Sequence, residues 1–478
     1  MKRRAFLTGA LAVAGRIGRP QAGARGLAQR QPPASMARPN ILLIVSDDLA
    51  AWMTGCYGNQ EIQTPQIDKL AAQGVRFANS YVCTPVCSPS RATLLTGRTP
   101  MQHGIEDFLT PQPTANPPQG QAAPPESFRN EIFLSDILVS NGYACGYSGK
   151  WHMGWEDQPQ HGFHYWYVMP GGSSPYQNPV MFSNAGGNGV KRVQEAGYLA
   201  DRINEHGLQF MEQARQAQRP WFAVVSHFNP HTPLDGHPQK YYDLYKDEQF
   251  QTFGIEPAKP NALREKNLLA DPVGNIRKTA AATTALDDRV GDLIDYLEAK
   301  KLSENTLVVF AGDNGFLLGR HGYWSKGLAS DPINMYEEVM RVPLLLRWLG
   351  HIPPGRVRQE LVSFYDFVPS VLDLLEIPQP KGRNLCGRSY WPLATTRALG
   401  QWDNRVFGYF RNTSMVREEQ YKLVLRNIEG NQASGPNELW DLKADPNEHA
   451  NRFDAHALRR EQGRLTKSLL AWIKKYSA

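Results

Sequence analysis

The run Thr84-Pro85-Val86-Cys87-Ser88-Pro89-Ser90-Arg91-Ala92-Thr93-Leu94-Leu95-Thr96-Gly97-Arg98 places a thiol and a guanidinium four residues apart. Pro85 and Pro89 lack amide donors and restrict the residues before them, so the cysteine is expected in non-helical chain. A helix is expected from Ser90, capped by that serine, carried by Ala92, Leu94 and Leu95, and stopped at Gly97. Cys87 then sits just ahead of a helix N-terminus, where partial positive charge favours an anion. Reactive thiol chemistry and plain burial both suit such a position.

Further candidates stand at the ends of apolar runs. Asp47 and Asp48 follow the β-branched run 41–45, and adjacent carboxylates repel unless a cation or protons compensate. Asp313 and Asn314 follow the run 306–311. Together these four offer only oxygen donors, which suit Ca²⁺ or Mg²⁺, and no His/Cys cluster with zinc spacing is visible. Lys150 and His152, two apart after the run 143–148, can point the same way and give two donors to one anion. His231 lies between Pro230 and Pro233, in a loop stiff enough to hold an imidazole in place.

The elements that must position these residues are read from periodicity. Continuous apolar runs at 41–45, 221–226 and 306–311 read as strands buried on both faces, with shorter strands at 143–148 and 341–348. Helices are expected over 64–77, 131–141, 196–214, 279–300 and 364–375, and polar loops over 108–126 and 171–189. Strands alternating with helices make an α/β domain, a mostly parallel sheet with helices on both faces. Its strand ends are where ligand groups gather. After about residue 395 the pattern becomes short runs at 406–410, 413–417, 421–426 and 438–442, then a helix over 455–475. That is a smaller C-terminal antiparallel α+β domain, so the expected division is 38–395 and 396–478.

The 478 residues carry a net charge of +6, but Lys2, Arg3, Arg4, Arg16, Arg19 and Arg25 all lie in the first 28, which hold no acid. The remainder is balanced, which argues against nucleic acid as a partner. Lys2-Arg3-Arg4-Ala5-Phe6-Leu7-Thr8 and the small-residue run to Gly15 have the shape of a twin-arginine export signal over 1–28. The run is too short to span a bilayer, so an exported protein of the periplasm or exterior, without a membrane span, is expected. Five cysteines are an odd number for an exported chain and mark one thiol for another use, with Cys87 the candidate.

Cys87, Pro89, Ser90, Arg91, Leu95, Thr96, Gly97 and Arg98 resemble the signature of the formylglycine-dependent sulfatases of the alkaline phosphatase-like superfamily. The likeness runs from Arg38-Pro39-Asn40 to Glu438-Leu439-Trp440-Asp441-Leu442 and Asp445-Pro446. It implies that a formylglycine-generating maturation enzyme oxidises Cys87 to an aldehyde. It also implies that Asp47, Asp48, Asp313 and Asn314 hold one divalent cation, usually Ca²⁺, with the modified Cys87 beside it as a geminal diol. One diol hydroxyl would attack sulfur, and loss of the other's proton would expel sulfate. The carried-over roles are support of the diol for Arg91, sulfate binding for Lys150 and Lys326, the base for His152 and the leaving-group acid for His231. Two departures stand out: Arg320, where relatives often carry an acid, and residues 327–334, which lengthen the link from Lys326 to Tyr336-Glu337-Glu338. The polar loop 171–189, the segment 327–334 and Trp155, Trp166, Tyr176 and Trp324 together suggest a sulfated carbohydrate as substrate. Two alternatives remain open: a phosphonate monoester or phosphodiester hydrolase using the same aldehyde, and an exported glycan-binding protein with a dead site.

Overall fold

The computed structural model describes residues 38–110, 114–115, 118–395, 401–426 and 435–477. The export signal expected over 1–28 lies outside them, and the boundary expected near 395 adjoins residues 396–400, which also lie outside. The strands in chain order are β1 (Asn40–Asp47), β2 (Val75–Tyr81), β3 (Thr114–Ala115), β4 (Pro118–Gln119), β5 (Ala144–Gly149), β6 (Tyr165–Val168), β7 (Val180–Ser183), β8 (Lys191–Gln194), β9 (Trp221–Pro230), β10 (Thr306–Gly312), β11 (Leu344–Arg347) and β12 (Arg356–Ser363). Apart from the short β3–β4 ladder they form one sheet in the order β12-β2-β11-β10-β1-β9-β5-β6-β7-β8. The centre is parallel, since β1 pairs with both β10 and β9, and β5 with both β9 and β6. Antiparallel β11 and the pair β7 and β8 extend it toward the edges.

All eight residues of β1 are buried. Ile41, Leu43 and Val45 enter one apolar core, while Leu42 and Ile44 enter the other. Each such side chain contributes roughly 1.5–3 kcal/mol by leaving water, which is why this run admits no polar face. Helices Cys87–Thr96, Leu134–Ser140 and Phe367–Leu374 supply the first core. Helices Leu199–Gln216 and Pro272–Ala299 supply the second. The latter starts with Pro272 and is capped by Asp271, whose carboxylate accepts from the Gly274 amide at 3.0 Å. Among the described residues no helix is long and apolar enough to cross a membrane.

A second, antiparallel sheet follows in chain order: β13 (Arg405–Phe410), β14 (Thr413–Glu418), β15 (Tyr421–Arg426) and β16 (Glu438–Asp441). Helix Arg459–Tyr476 covers one face, with Leu465, Leu469 and Trp472 against Val416, Leu423 and Leu439.

Several expected elements are revised. The helix expected over 64–77 ends at Ala72, and Val75 and Phe77 belong instead to β2. Both continue the helical spacing of Ile67, Leu70 and Ala71 by coincidence, so the apolar pattern alone is ambiguous there. The helix expected over 131–141 is confined to Leu134–Ser140. The loop expected over 171–189 contains β7, which pairs with β8 and lengthens the sheet. The Cys87 helix begins at Cys87 rather than Ser90, with extended Val86 as its cap residue. Pro89 is no obstacle at the third helical position, because the first amides of a helix have no intrahelical partner. Gly97 ends it in the left-handed region at φ 69°, as expected.

Candidate active site

Strand register assembles the site. Ser46 of β1 pairs with Gly312 of β10, so Asp47 and Asp313 emerge side by side at the carboxyl ends. Gly149 of β5 pairs with Ser226 of β9, which delivers Lys150 to the same rim. A Cβ on Gly149 would lie 1.9 Å from the Ser226 carbonyl, and its φ is 114°, so only glycine lets the chain turn there. His231 follows the end of β9, where Pro230 pairs with Asp47.

Asp47, Asp48, Asp313, Asn314, Arg91, Lys150 and Cys87 are all buried. Arg91 Nε donates to Asp313 Oδ2 at 2.8 Å, and its Nη1 donates to the Lys150 carbonyl at 2.5 Å and to Ser226 Oγ at 2.7 Å. Lys150 Nζ donates to Asp47 Oδ2, and Lys326 Nζ to Asp48 Oδ1. Lys326 Nζ is also 3.7 Å from Cys87 Sγ and 3.5 Å from Asn314 Oδ1. Asp48, in the left-handed region, donates its amide to Asp313 Oδ1 at 3.2 Å and accepts from Asn314 Nδ2 at 2.7 Å. His231 Nε2 is 3.7 Å from Asp48 Oδ2.

Burial alone would raise the Asp47 carboxyl, but Lys150, then His231, Lys326 and Arg91, hold it well below the usual carboxylate range. Asp313 is pushed the other way, by burial first and then by Asp47. Cys87 is the one cysteine shifted downward: burial raises it, and Lys150 and Lys326 outweigh that. Burial pushes Cys56, Cys83 and Cys145 up to about 12 and Cys386 well above its ordinary value. All five cysteines are free, so the odd count carries no pairing information, and electrostatics instead distinguishes Cys87.

Three buried polar atoms in this cluster have no hydrogen-bond partner among the described residues: Asp47 Oδ1, Arg91 Nη2 and His152 Nδ1. His152 Nε2 faces the Leu109 carbonyl at 2.9 Å and must donate to it, so Nδ1 carries the lone pair. Burial first, then Lys150, pushes this histidine down to about 3, which keeps it neutral. His231 is held by its Nδ1, 2.6 Å from the Thr232 carbonyl, and by Tyr176, whose hydroxyl donates to the His231 carbonyl at 2.8 Å. That leaves His231 Nε2 facing the carboxylates.

An unpartnered carboxylate oxygen among three buried aspartates fits a hard cation, with Asn314 offering a further oxygen, and one imidazole nitrogen, His231 Nε2, stands 3.7 Å from Asp48 Oδ2 beside these donors. Asp47, Asp48 and His231 also bring one donor atom each within 4.8 Å of one another.

Every residue expected in the site is therefore brought together around Asp47. Sequence reasoning missed the supporting set. Tyr147, Ser226 and Arg91 all donate to the Lys150 carbonyl. Ser90, expected as a cap, gives its hydroxyl to the Asp313 carbonyl. Gly172 lies against the His152 ring. Strand-end position was the only available signal for Tyr147 and Ser226, and none pointed to Gly172. The aromatic argument for a sugar platform does not survive. Trp166, Tyr176 and Trp324 are core residues, and Trp155 carries the Arg129 guanidinium 3.6 Å from its ring. Arg320 is committed to the Trp52 ring at 4.0 Å, the Phe253 carbonyl at 2.8 Å and Glu338 at 3.4 Å. The segment 327–334 packs inward: the Gly327 amide donates to the Pro85 carbonyl at 3.2 Å and Asn334 Nδ2 to the Lys326 carbonyl at 3.1 Å.

A ten-stranded, mostly parallel sheet with carboxylates and lysines gathered at its central strand ends is the architecture of the alkaline phosphatase-like superfamily. Within it the chain belongs to the sulfatase family, whose model matches residues 39–377, and it is a sulfuric ester hydrolase. A second model, N-sulphoglucosamine sulphohydrolase C-terminal, matches residues 319–475. The chain is 29% identical over 455 residues to the uncharacterized sulfatase YidJ of Escherichia coli, covering 88% of this chain and 84% of that one. It is 25% identical over 520 residues to an N-acetylglucosamine-6-O-sulfatase of Bacteroides thetaiotaomicron, covering 92% and 87%. A solved structure in complex with its substrate D-glucosamine-2-N,6-O-disulfate superposes with a TM-score of 0.78 at 22% identity, covering 92% and 98%.

Proposed function

We propose that the protein hydrolyses a sulfate ester of a carbohydrate, with Cys87 converted to formylglycine by a maturation enzyme and one Ca²⁺ held by Asp47, Asp48, Asp313 and Asn314. The observation that carries this reading is the set of three partnerless atoms in one buried cluster. Asp47 Oδ1 is an acceptor suited to a cation, Arg91 Nη2 a donor suited to an anionic oxygen, and His152 Nδ1 a lone pair suited to a proton. Leaving each unmatched costs about 1–3 kcal/mol, more for a charged group, which supports a cation, an anionic oxygen and a proton as their partners.

The cation, when bound, polarises a sulfate oxygen and favours an ionised nucleophile. Formylglycine supplies a hydroxyl nucleophile with a second hydroxyl on the same carbon, which a serine lacks. Arg91, one turn on from Cys87 in the same helix, would offer its unpartnered Nη2 to that carbon's oxygens. Lys150 and Lys326, anchored on Asp47 and Asp48, present ammonium donors to the sulfate oxygens. Neutral His152 accepts a proton at Nδ1 while Nε2 stays tied to Leu109. His231, whose Nδ1–H is committed to the Thr232 carbonyl, delivers a proton from Nε2 to the departing alcohol oxygen in its imidazolium form and is left with the lone pair there. Curated relatives named N-acetylglucosamine-6-O-sulfatase and N-acetylgalactosamine-6-sulfatase support a sulfated amino sugar as the substrate class. The residues of the leader alone support export to the periplasm.

Peptide mass spectrometry across residues 80–91 with aldehyde trapping, on protein made with the maturation enzyme, should find formylglycine at position 87. The same protein should then give its highest kcat/KM on a sulfated sugar within a panel that includes aryl sulfates and phosphonate esters. Unmodified Cys87 in active protein overturns the mechanism, preference for a phosphonate ester overturns the reaction class, and preference for a small aryl sulfate overturns the carbohydrate.

A further inference from the structure

A second group of donors closes on a cavity of about 490 Å³, lined by Glu256, Arg320, His321, Glu338, Asn447 and His449. We propose that Glu256, His321 and His449 form a binding site for a borderline divalent transition metal of the Zn²⁺ class, separate from the carboxylate-rich cluster at Asp47. One donor atom from each of the three residues lies within 4.8 Å of the others.

Four features make this more than a chance meeting of side chains. First, His321 is preset as a ligand. Its Nε2 lies 3.2 Å from Glu338 Oε2, and an ionised carboxylate only accepts, so Nε2 carries the proton and Nδ1 the lone pair. Carboxylate-to-histidine hydrogen bonds of this kind are the usual outer support of a metal-bound imidazole. Second, the His321 ring is stacked on Tyr336 at 3.9 Å and 4°, so its direction is locked.

Third, the imidazole spacing is right. With metal–nitrogen bonds of about 2.0–2.1 Å and about 1.1 Å more to the ring centre, two histidines at a tetrahedral angle have centroids about 5.2 Å apart. His321 and His449 stand 5.4 Å apart. Fourth, Glu256 Oε1 and His449 Nε2 are 3.8 Å apart, too far for a hydrogen bond. Two ligand atoms on one tetrahedral ion lie about 3.3 Å apart, so a shift of about half an ångström brings the pair into coordination. Glu256 Oε1 also accepts the His321 amide at 3.2 Å, which ties the carboxylate to the turn that carries the histidine.

Two imidazoles and one carboxylate select zinc, cobalt or nickel over calcium, the opposite preference to the carboxylate-rich cluster. Three protein ligands leave a fourth position open toward the cavity. The ion would clip three separate stretches together: the turn that carries Arg320 and His321 on the way to Lys326, the connection that carries Glu256, and the segment after β16 that carries His449. No motif announces this site, because its ligands come from positions 256, 321 and 449.

The test uses tag-free full-length protein kept saturated with Ca²⁺. Titration with Zn²⁺ by calorimetry should show one additional equivalent per chain, and Co²⁺ in its place should give visible absorption bands of nitrogen-ligated, low-coordinate cobalt. His449→Ala, at an exposed position, should lose that equivalent or weaken it at least tenfold, and Glu256→Gln should do the same. Absence of a second equivalent in the parent protein overturns the proposal. So does a second equivalent whose affinity and spectrum are unchanged in both variants.

Discussion

Gly172→Ala isolates the positioning of His152 from its chemistry. An added methyl at 172 would lie 2.2 Å from His152 Cε1 and 2.3 Å from Nε2. Carbon atoms rest at about 3.5–4.0 Å, so the ring must move by about 1.3 Å or more, which breaks the 2.9 Å bond to the Leu109 carbonyl and swings Nδ1. The backbone at 172 is outside the left-handed region and tolerates alanine, so the fold should be spared. Misplacing a catalytic group by about 1 Å costs on the order of 10²-fold, or about 2.7 kcal/mol of transition-state stabilisation. The expected result is a kcat/KM lowered about a hundredfold on whichever sulfate ester the parent turns over best, with a melting temperature within a few degrees of the parent. His152→Ala should lose at least as much, and the double variant should be no worse than His152→Ala alone, because both changes remove one function. Activity of Gly172→Ala within threefold of the parent refutes the reasoning, as does full additivity in the double variant.

Two further outcomes are expected. Asp313→Asn should lose the proposed divalent cation by elemental analysis and nearly all turnover while keeping its circular dichroism, and full activity in chelated, metal-free protein would contradict the cation's role. Buried His103 is pushed down to about 3, by burial first and then Arg98, and its Nδ1 accepts the Ile105 amide at 3.2 Å. Because its folded value lies below the ordinary one near 6.5, the unfolded chain binds the proton first. Its contribution is therefore fully present above pH 6.5 and is lost as the pH falls toward 3, by up to about 1.4 kcal/mol per pH unit. Urea melts at pH 7, 6 and 5 should show a shallower acid limb for His103→Gln than for the parent, and identical slopes would count against this.

What the sequence by itself determined is the chemistry on offer. Unbroken, β-branched apolar runs of five or six residues at β1, β9 and β10 read as strands buried on both faces, which sets the carboxylates just beyond the runs of β1 and β10 at the sheet's rim. The stop of the cysteine helix at Gly97 was equally legible, but its start was misplaced by three residues, because a proline in the first turn of a helix forfeits no intrahelical bond. Strands β2, β7, β8 and β12 were not legible, since short runs with mixed polarity become strands only when a partner strand supplies their hydrogen bonds.

Tertiary structure alone decided three things. Register put Asp47 beside Asp313 and Lys150, an outcome of pairing between segments more than a hundred residues apart. Burial turned the four aromatics from a sugar platform into core and packing partners, because exposure is a property of the assembled layers and not of residue type. Finally, the donor set Glu256, His321 and His449 exists only where three distant segments converge, and no spacing along the chain encodes a contact made that way.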